Sequence, residues 1–247
     1  MVDTAKKIIS LTVLPSRLEH IGGTISSLLN QSETPDEVCV WLPKNTRRDN
    51  KKIDEPPRFL KHDLIRAEFV EDVGPATKLI PALRKYWHDK ETIIVTADDD
   101  IEYPREWFGG LIEYSNILKD ASLGYRGRKF FGIGPLKLYS YDLAKLYFGH
   151  KRDEPKKVDL ITASWGCLYK VKFFTEEVFS LDLDTPMFFT DDIWFTGQLA
   201  KNGVNRFVVP MKEKINPADQ RLIDALWFIN ADGKNNNWSI RRFKKYF

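Results

Sequence analysis

Three aspartates in a row, Asp98, Asp99 and Asp100, sit inside the segment "IIVTADDDIEYP", residues 93–104. An apolar, β-type run precedes them and Pro104 closes the segment, so like charges crowd the end of a buried strand, where their repulsion needs compensation. Side chains alternate across a strand, so Asp98 and Asp100 share one side if the strand persists, while Asp99 faces the other. A pair of hard oxygen donors at a strand end suits Mn²⁺ or Mg²⁺ bridging to a phosphate, with phosphate oxygens and water completing the shell. The competing reading is a solvated turn whose carboxylates satisfy backbone amides ahead of the next helix.

A second acidic element, "TDDIWF", starts at Thr190. Thr190 or Asp191 can cap a helix here, leaving the other of Asp191 and Asp192 to project into a cleft as a general base. Trp194 and Phe195 follow Asp191 at helical spacing and offer an aromatic wall for the apolar face of a sugar. A capping pair followed by core aromatics fits the same residues. Among basic groups, Arg17, just past the first apolar run, and Lys78 are placed to approach a nucleotide or its diphosphate. Arg126, Arg128, Lys129, Lys212 and Lys214 are further candidates to close over it, although lone surface cations are usually solubilising. In "ITASWGCLY", Trp165 and Gly166 pair a ring with close backbone access. The four histidines have no zinc spacing, and the chain lacks a Walker A loop, a G-x-G-x-x-G fingerprint and a G-x-S-x-G elbow.

The elements that must position these groups alternate. "KKIISLTVLP" reads as a first buried strand, residues 18–29 as a helix, and "DEVCVWLP" as a second strand. "LIRAEFV" is a short third strand, residues 75–87 are a helix interrupted by Pro81, "TIIVTA" is a strand and residues 105–118 a helix. "ASLGY" and "VNRFVVP" add strands, "RGRKFFGIG" an active-site loop or bent hairpin, and residues 160–174 a strand turning helical near Lys172. A helix starts near Asp191 and ends around Gly203, and another spans "ADQRLIDALWFIN", residues 218–230. This alternation predicts an α/β fold with a mostly parallel sheet, open at the carboxyl ends of its strands, where ligands bind.

A chain of 247 residues holds one main domain, expected over 1–215, and a helical, basic and aromatic extension over 216–247. With 43% apolar and 30% charged residues the chain is globular, and 38 basic against 35 acidic residues give no support for a nucleic-acid partner. Cys39 and Cys167 lie in apolar contexts as free thiols of a reducing compartment. The amino-terminal apolar run is too short to span a membrane and has no signal-peptide layout, so a soluble cytoplasmic protein is expected. The tail "NWSIRRFKKYF" is a candidate for peripheral membrane contact or for packing back on the domain.

Taken in order, "LTVLPSRLEHIGGTISSLLNQSETPDEVCVWLP", "TADDDIEYP" and "FFTDDIWFTGQLAKNG" resemble the GT-A nucleotide-sugar glycosyltransferases, especially family-2-like members, over about residues 7–210. The resemblance implies a GT-A, Rossmann-like mixed sheet flanked by helices. It puts Pro15, Ser16, Arg17 and Lys78 at the donor nucleotide, and makes Asp98 and Asp100 the ends of a DXD motif holding Mn²⁺ or Mg²⁺. Asp99 then approaches the donor and Asp192 or Asp191 serves as base, while Arg126, Arg128, Trp165, Gly166 and Trp194 shape the sugar and acceptor side. The partners implied are a nucleoside-diphosphate sugar and a glycan or lipid-linked glycan acceptor. The chain departs from the pattern at "VWLPKN", which lacks an aspartate for the base, and at "MKEKINP", which lacks a metal-binding histidine. "DDDI" with "DDI" also resembles the exostosin-like retaining transferases, so inversion and retention both remain open. A nucleotidyltransferase and a non-catalytic carbohydrate-binding protein are the rival classes.

Overall fold

The computed structural model describes residues 5–47, 51–217, 229–230 and 232–247. Its strands are β1 (Lys7–Thr12), β2 (Glu37–Pro43), β3 (Ile65–Val70), β4 (Ile93–Ala97), β5 (Ile101–Glu102), β6 (Ala121–Gly124) and β7 (Arg126–Lys129). They continue with β8 (Lys145–Phe148), β9 (Lys156–Lys157), β10 (Leu160–Ile161), β11 (Cys167–Lys170), β12 (Asn205–Val208) and β13 (Asn216–Pro217). The α-helices are α1 (Gly22–Leu29), α2 (Ile80–Lys85), α3 (Trp107–Ile117), α4 (Asp191–Lys201) and α5 (Lys234–Phe243).

Eight strands form the main sheet in the order β3-β2-β1-β4-β11-β6-β12-β9. β3, β2, β1 and β4 are parallel neighbours, and β12 runs parallel to β6. β11 is antiparallel to both β4 and β6, and β9 is antiparallel to β12. This is an α/β fold with a mostly parallel central sheet flanked by helices.

Both faces of the sheet are covered, which is why its strands read as continuous apolar runs rather than alternating ones. Ile8, Cys39 and Ile94 pack on one face with residues of α2, α4 and α5, whereas Ile9, Val38, Val40 and Val95 pack on the other with residues of α1 and α3. Cys39 and Cys167 are free and buried among these side chains.

Several boundaries differ from the expectation. The first helix begins only at Gly22, because Pro15–Arg17 form a separate 3-10 turn. Residues 75–87 divide into a 3-10 turn, Gly74–Lys78, and α2, with Pro81 in the first turn of α2, where its missing N–H removes no helical bond. Residues 160–174 yield β10, a 3-10 turn at Ala163–Trp165, β11 and a further 3-10 turn at Val171–Phe173. "RGRKFFGIG" opens a hairpin, β7 pairing antiparallel with β8. Except for its last two residues, the helix expected over 218–230 lies outside the described residues. α5 folds back on the domain, with Ile240 and Phe243 buried against α4. Among the described residues no helix is long and apolar enough to cross a membrane.

Candidate functional site

The first acidic element and its cations sit just past the ends of strands in the parallel half, and the second opens a helix. β1 runs out into the 3-10 turn that carries Pro15, Ser16 and Arg17. Arg17 is buried, and its guanidinium donates to Asp99 Oδ1 at 2.6 Å and to Asp100 Oδ2 at 3.0 Å. The backbone N–H of Leu14 donates to Asp99 Oδ2 at 3.1 Å, and Thr24 Oγ1 to the Asp99 carbonyl at 3.2 Å. Asp99 therefore locks the β4 exit to the β1 exit. Ser16 Oγ is buried there without a hydrogen-bond partner.

Lys78 ends the 3-10 turn after β3. Asp72 builds that turn by accepting the Gly74 N–H at 2.7 Å, and Ser10 Oγ, itself accepting the Trp41 indole N–H at 2.8 Å, donates to the Lys78 carbonyl at 2.6 Å. The Lys78 ammonium is thereby directed across the carboxyl edge of the sheet. Its Nζ stands 2.6 Å from Asp98 Oδ1 and 3.4 Å from Asp191 Oδ2. The Asp98 N–H donates to the Tyr103 hydroxyl at 2.7 Å, which folds the chain back just after the aspartates.

Asp191 and Asp192 open α4, where the N-terminal end of the helix dipole favours negative charge. Thr190 occupies the cap position, but its hydroxyl pairs with Ser239 of α5 at 2.6 Å instead of capping the helix. Asp192 Oδ1 accepts the Ala163 N–H at 2.9 Å, presented by the turn between β10 and β11. Asp191 is buried, and its Oδ2 finds no hydrogen-bond partner despite the nearby Lys78 ammonium.

The electrostatics single out one carboxylate in each acidic element. Burial, then Asp98 and Asp99, raise Asp100 to about 7 against the pull of Arg17 and Lys78. Burial and the neighbouring Asp191 raise Asp192 to about 7, against Lys78 and the Ala163 N–H. Lys78 is raised as well: burial lowers it, but Asp191, Asp98 and Asp192 outweigh that and hold it well above the ordinary lysine value. Negative charge thus exceeds what the two cations neutralise. Among the described residues, however, no group of three or more His, Cys, Asp or Glu side chains is arranged to hold a metal ion by itself.

The remaining candidates divide. Arg128 donates to the Tyr141 carbonyl at 3.0 Å and lies over the Tyr141 ring at 4.0 Å, while Arg126 donates to Ser164 Oγ at 2.9 Å. Burial and then the charge of Asp192 raise the Tyr141 phenol, while Arg128 and Arg126 pull it down, so these cations border the second acidic element. Trp165 forms a tilted cluster with Phe148 and His150, ring centroids 5.1 and 5.3 Å away, and its carbonyl accepts the Trp107 indole N–H at 2.8 Å. Gly166 has φ 96°, and a Cβ there would meet the Trp107 ring at 2.5 Å. Trp194 turns the other way, into the core, donating to the Val178 carbonyl at 3.1 Å and packing edge-on against Phe243. Sequence reasoning passed over Tyr103, Tyr141 and Ala163. Their contributions are a phenol on a backbone N–H, a loop ring and a main-chain donor, none of which carries a sequence signal.

No protein-family model matches the chain, and no curated protein matches it. Among solved structures, the crystal structure of S. aureus TarS 1-349 is similar, with a TM-score of 0.53 and 13% identity over 87% of this chain. The chain spans 61% of the length of that structure. The likeness is distant and holds at the level of the fold, an α/β architecture with a mostly parallel central sheet flanked by helices.

Proposed function

We propose that the protein is a glycosyltransferase that moves a monosaccharide from a nucleoside-diphosphate sugar to a hydroxyl of a glycan or lipid-linked glycan, with inversion at the anomeric carbon. The observation that carries this reading is the bridge made by one buried ammonium, Lys78, between Asp98 at 2.6 Å and Asp191 at 3.4 Å. It joins the two acidic elements into one centre at the open edge of the sheet, where α/β folds bind ligands.

In this reading Arg17, the unpartnered Ser16 hydroxyl and Lys78 receive the nucleotide and its diphosphate. The surplus of carboxylate charge around Asp100 fits a hard divalent cation, Mn²⁺ or Mg²⁺, which Asp98 and Asp100 would hold with the donor's own oxygens. When bound, such a cation offsets the charge that builds on the leaving diphosphate. Asp192 is the base. Its affinity for a proton, matched to neutral pH, lets it take the acceptor hydroxyl proton as the hydroxyl oxygen forms its bond to the anomeric carbon. The bond from that carbon to the diphosphate oxygen breaks on the opposite face and the nucleoside diphosphate leaves with the electron pair. Arg126, Arg128 and Tyr141 border the acceptor side, with Trp165 and Gly166 at the turn behind it.

The test is a panel of nucleotide sugars incubated with the full chain and Mn²⁺ or Mg²⁺, with nucleoside diphosphate release and binding both measured. One donor is expected to be bound and turned over. Failure of the whole panel in both measurements would overturn the reading, and the anomeric configuration of the product by NMR decides between inversion and retention.

A further inference from the structure

The hairpin of β7 and β8 carries an apolar surface that the proposed reaction leaves unused. Phe131, Ile133, Leu136, Leu138 and Leu143 are all exposed, in a chain whose other large apolar side chains are mostly buried. Phe131 and Leu138 bridge across the neck, the Leu138 N–H donating to the Phe131 carbonyl at 2.8 Å, so residues 132–137 make a closed tip. Gly132 and Gly134, at φ 84° and 54°, turn that tip. Its two apolar side chains, Ile133 and Leu136, are 85% and 83% exposed. The loop is anchored from below: Lys137 Nζ bonds Asp159 at 2.6 Å and the Phe247 carbonyl at 2.7 Å, and Arg128 holds the carbonyls of Tyr141 and Ala144.

Below the tip the charge is of one sign. Residues 126–157 contain nine Lys and Arg against Asp142, Asp153 and Glu154, within a chain of net charge only +3, so the rest of the molecule is net negative. Lys129 and Lys145 stand directly opposite each other across the hairpin, a like-charge pair that destabilises a sheet unless an anion is supplied. Lys145, Arg152 and Lys156 gather around the ring of Tyr147, at 5.4 to 5.9 Å.

We propose that this hairpin docks the protein on an anionic lipid bilayer, its Ile133–Leu136 tip entering the headgroup boundary and its basic collar, Lys129 and Lys145 foremost, meeting lipid phosphates. A protein partner fits this surface less well, because lysine is depleted from the cores of protein interfaces. A soluble polyanion would engage the collar but leave the apolar tip in water. An interfacial bilayer accepts both, apolar side chains at the acyl boundary and cations at the phosphates. The tail is not the apolar anchor, since Ile240 and Phe243 are buried in the domain. The inference does not rest on catalysis. It adds that the acceptor side, bordered by Tyr141 of the same loop, would face the membrane surface.

The experiment is flotation of the full chain with vesicles of phosphatidylcholine alone and of phosphatidylcholine with phosphatidylglycerol. Binding to the anionic vesicles is expected, weakening with salt. The double variant I133S/L136S changes only exposed positions, and it should weaken binding by about tenfold or more with an unchanged melting temperature. In L136W, indole emission should shift to the blue when anionic vesicles are added. The proposal fails if the wild type does not float with anionic vesicles, or if I133S/L136S floats equally well, the result expected of a soluble-polyanion site. It fails also if I133S/L136S abolishes a dimer seen by light scattering while vesicles are never bound, since the tip would then meet a second copy.

Discussion

The two acidic elements of the site are built in opposite ways. The aspartates after β4 are clamped: Asp99 and Asp100 share the buried Arg17 guanidinium, and Asp98 takes the Lys78 ammonium at 2.6 Å. At the start of α4, Asp192 has one backbone N–H, from Ala163, and Asp191 stands 3.4 Å from a lysine already bonded elsewhere. Carboxylates clamped by cations hold their geometry, which suits binding a phosphorylated donor; proton affinity does not set them apart, since Asp100 is raised to about 7 as Asp192 is. A carboxylate held by one neutral donor and pressed by a like charge can gain and lose a proton near neutrality, which suits a base. Proximity in sequence would not separate these roles. The partners do.

The sharpest way to break this contrast is Asp192→Asn. The amide still accepts the Ala163 N–H but cannot take a proton, so turnover should fall about 10²–10⁴-fold while donor binding is kept. Stability should move the other way. The folded carboxyl has its affinity raised to about 7 from an ordinary 3.8, so between those values the native state binds more protons than the unfolded chain. The contribution of Asp192 to stability therefore falls as pH rises through about 7. Asp192→Asn should melt higher than wild type at pH 8, with the gap closing toward pH 4, in parallel thermal scans. Asp100 titrates in the same direction, so the variant's own decline with pH should be reduced rather than abolished. A variant less stable at pH 8 would show that Asp192 is compensated after all.

Lys78→Met attacks the bridge itself. It leaves buried Asp191 and half-buried Asp98 without their cation and should cost about 3–5 kcal/mol in denaturant unfolding. Adding Asp98→Asn should recover part of that loss, because one uncompensated charge goes with it. If Lys78→Met proved neutral, the two acidic elements would be independent and the single reaction centre would be lost as an idea.

How much of this was legible beforehand follows from the range of each interaction. β4 and its aspartates were readable because an apolar run and a charge cluster are both local patterns. Arg17 and Lys78 were readable as positions after strands, but which carboxylate each would meet depends on the sheet order. The antiparallel insertion of β11 between β4 and β6 has no local signal, since a buried strand reads the same in either direction. It is this strand that brings Ala163, 29 residues before Asp192, to that carboxylate. For Trp194, helical spacing allowed a cleft or a core placement, and the packing of α5, formed from a tail distant in sequence, selected the core.

Gly166→Ala tests the turn that presents Ala163. At φ 96° any side chain is strained, and the Cβ would strike the Trp107 ring, so a loss of about 1–3 kcal/mol is expected. The informative readout is the pH profile of turnover. If the turn shifts, the Ala163 N–H moves off Asp192 and the acidic limb should move to higher pH, because one of the groups lowering its proton affinity is weakened. An unchanged profile alongside the stability loss would mean that Gly166 serves packing alone.

The smallest expected effect belongs to Trp194→Phe, which lies on the same helix as Asp192 and points away from it. The substitution removes the indole N–H from the Val178 carbonyl and should cost about 1 kcal/mol of stability. Since the ring packs on Phe243 in the core, the KM for acceptor should stay at the wild-type value. A rise in that KM without a matching change in stability would return Trp194 to the sugar-binding face. The contrast between a clamped donor side and a loosely held base would then need an aromatic wall added to its second half.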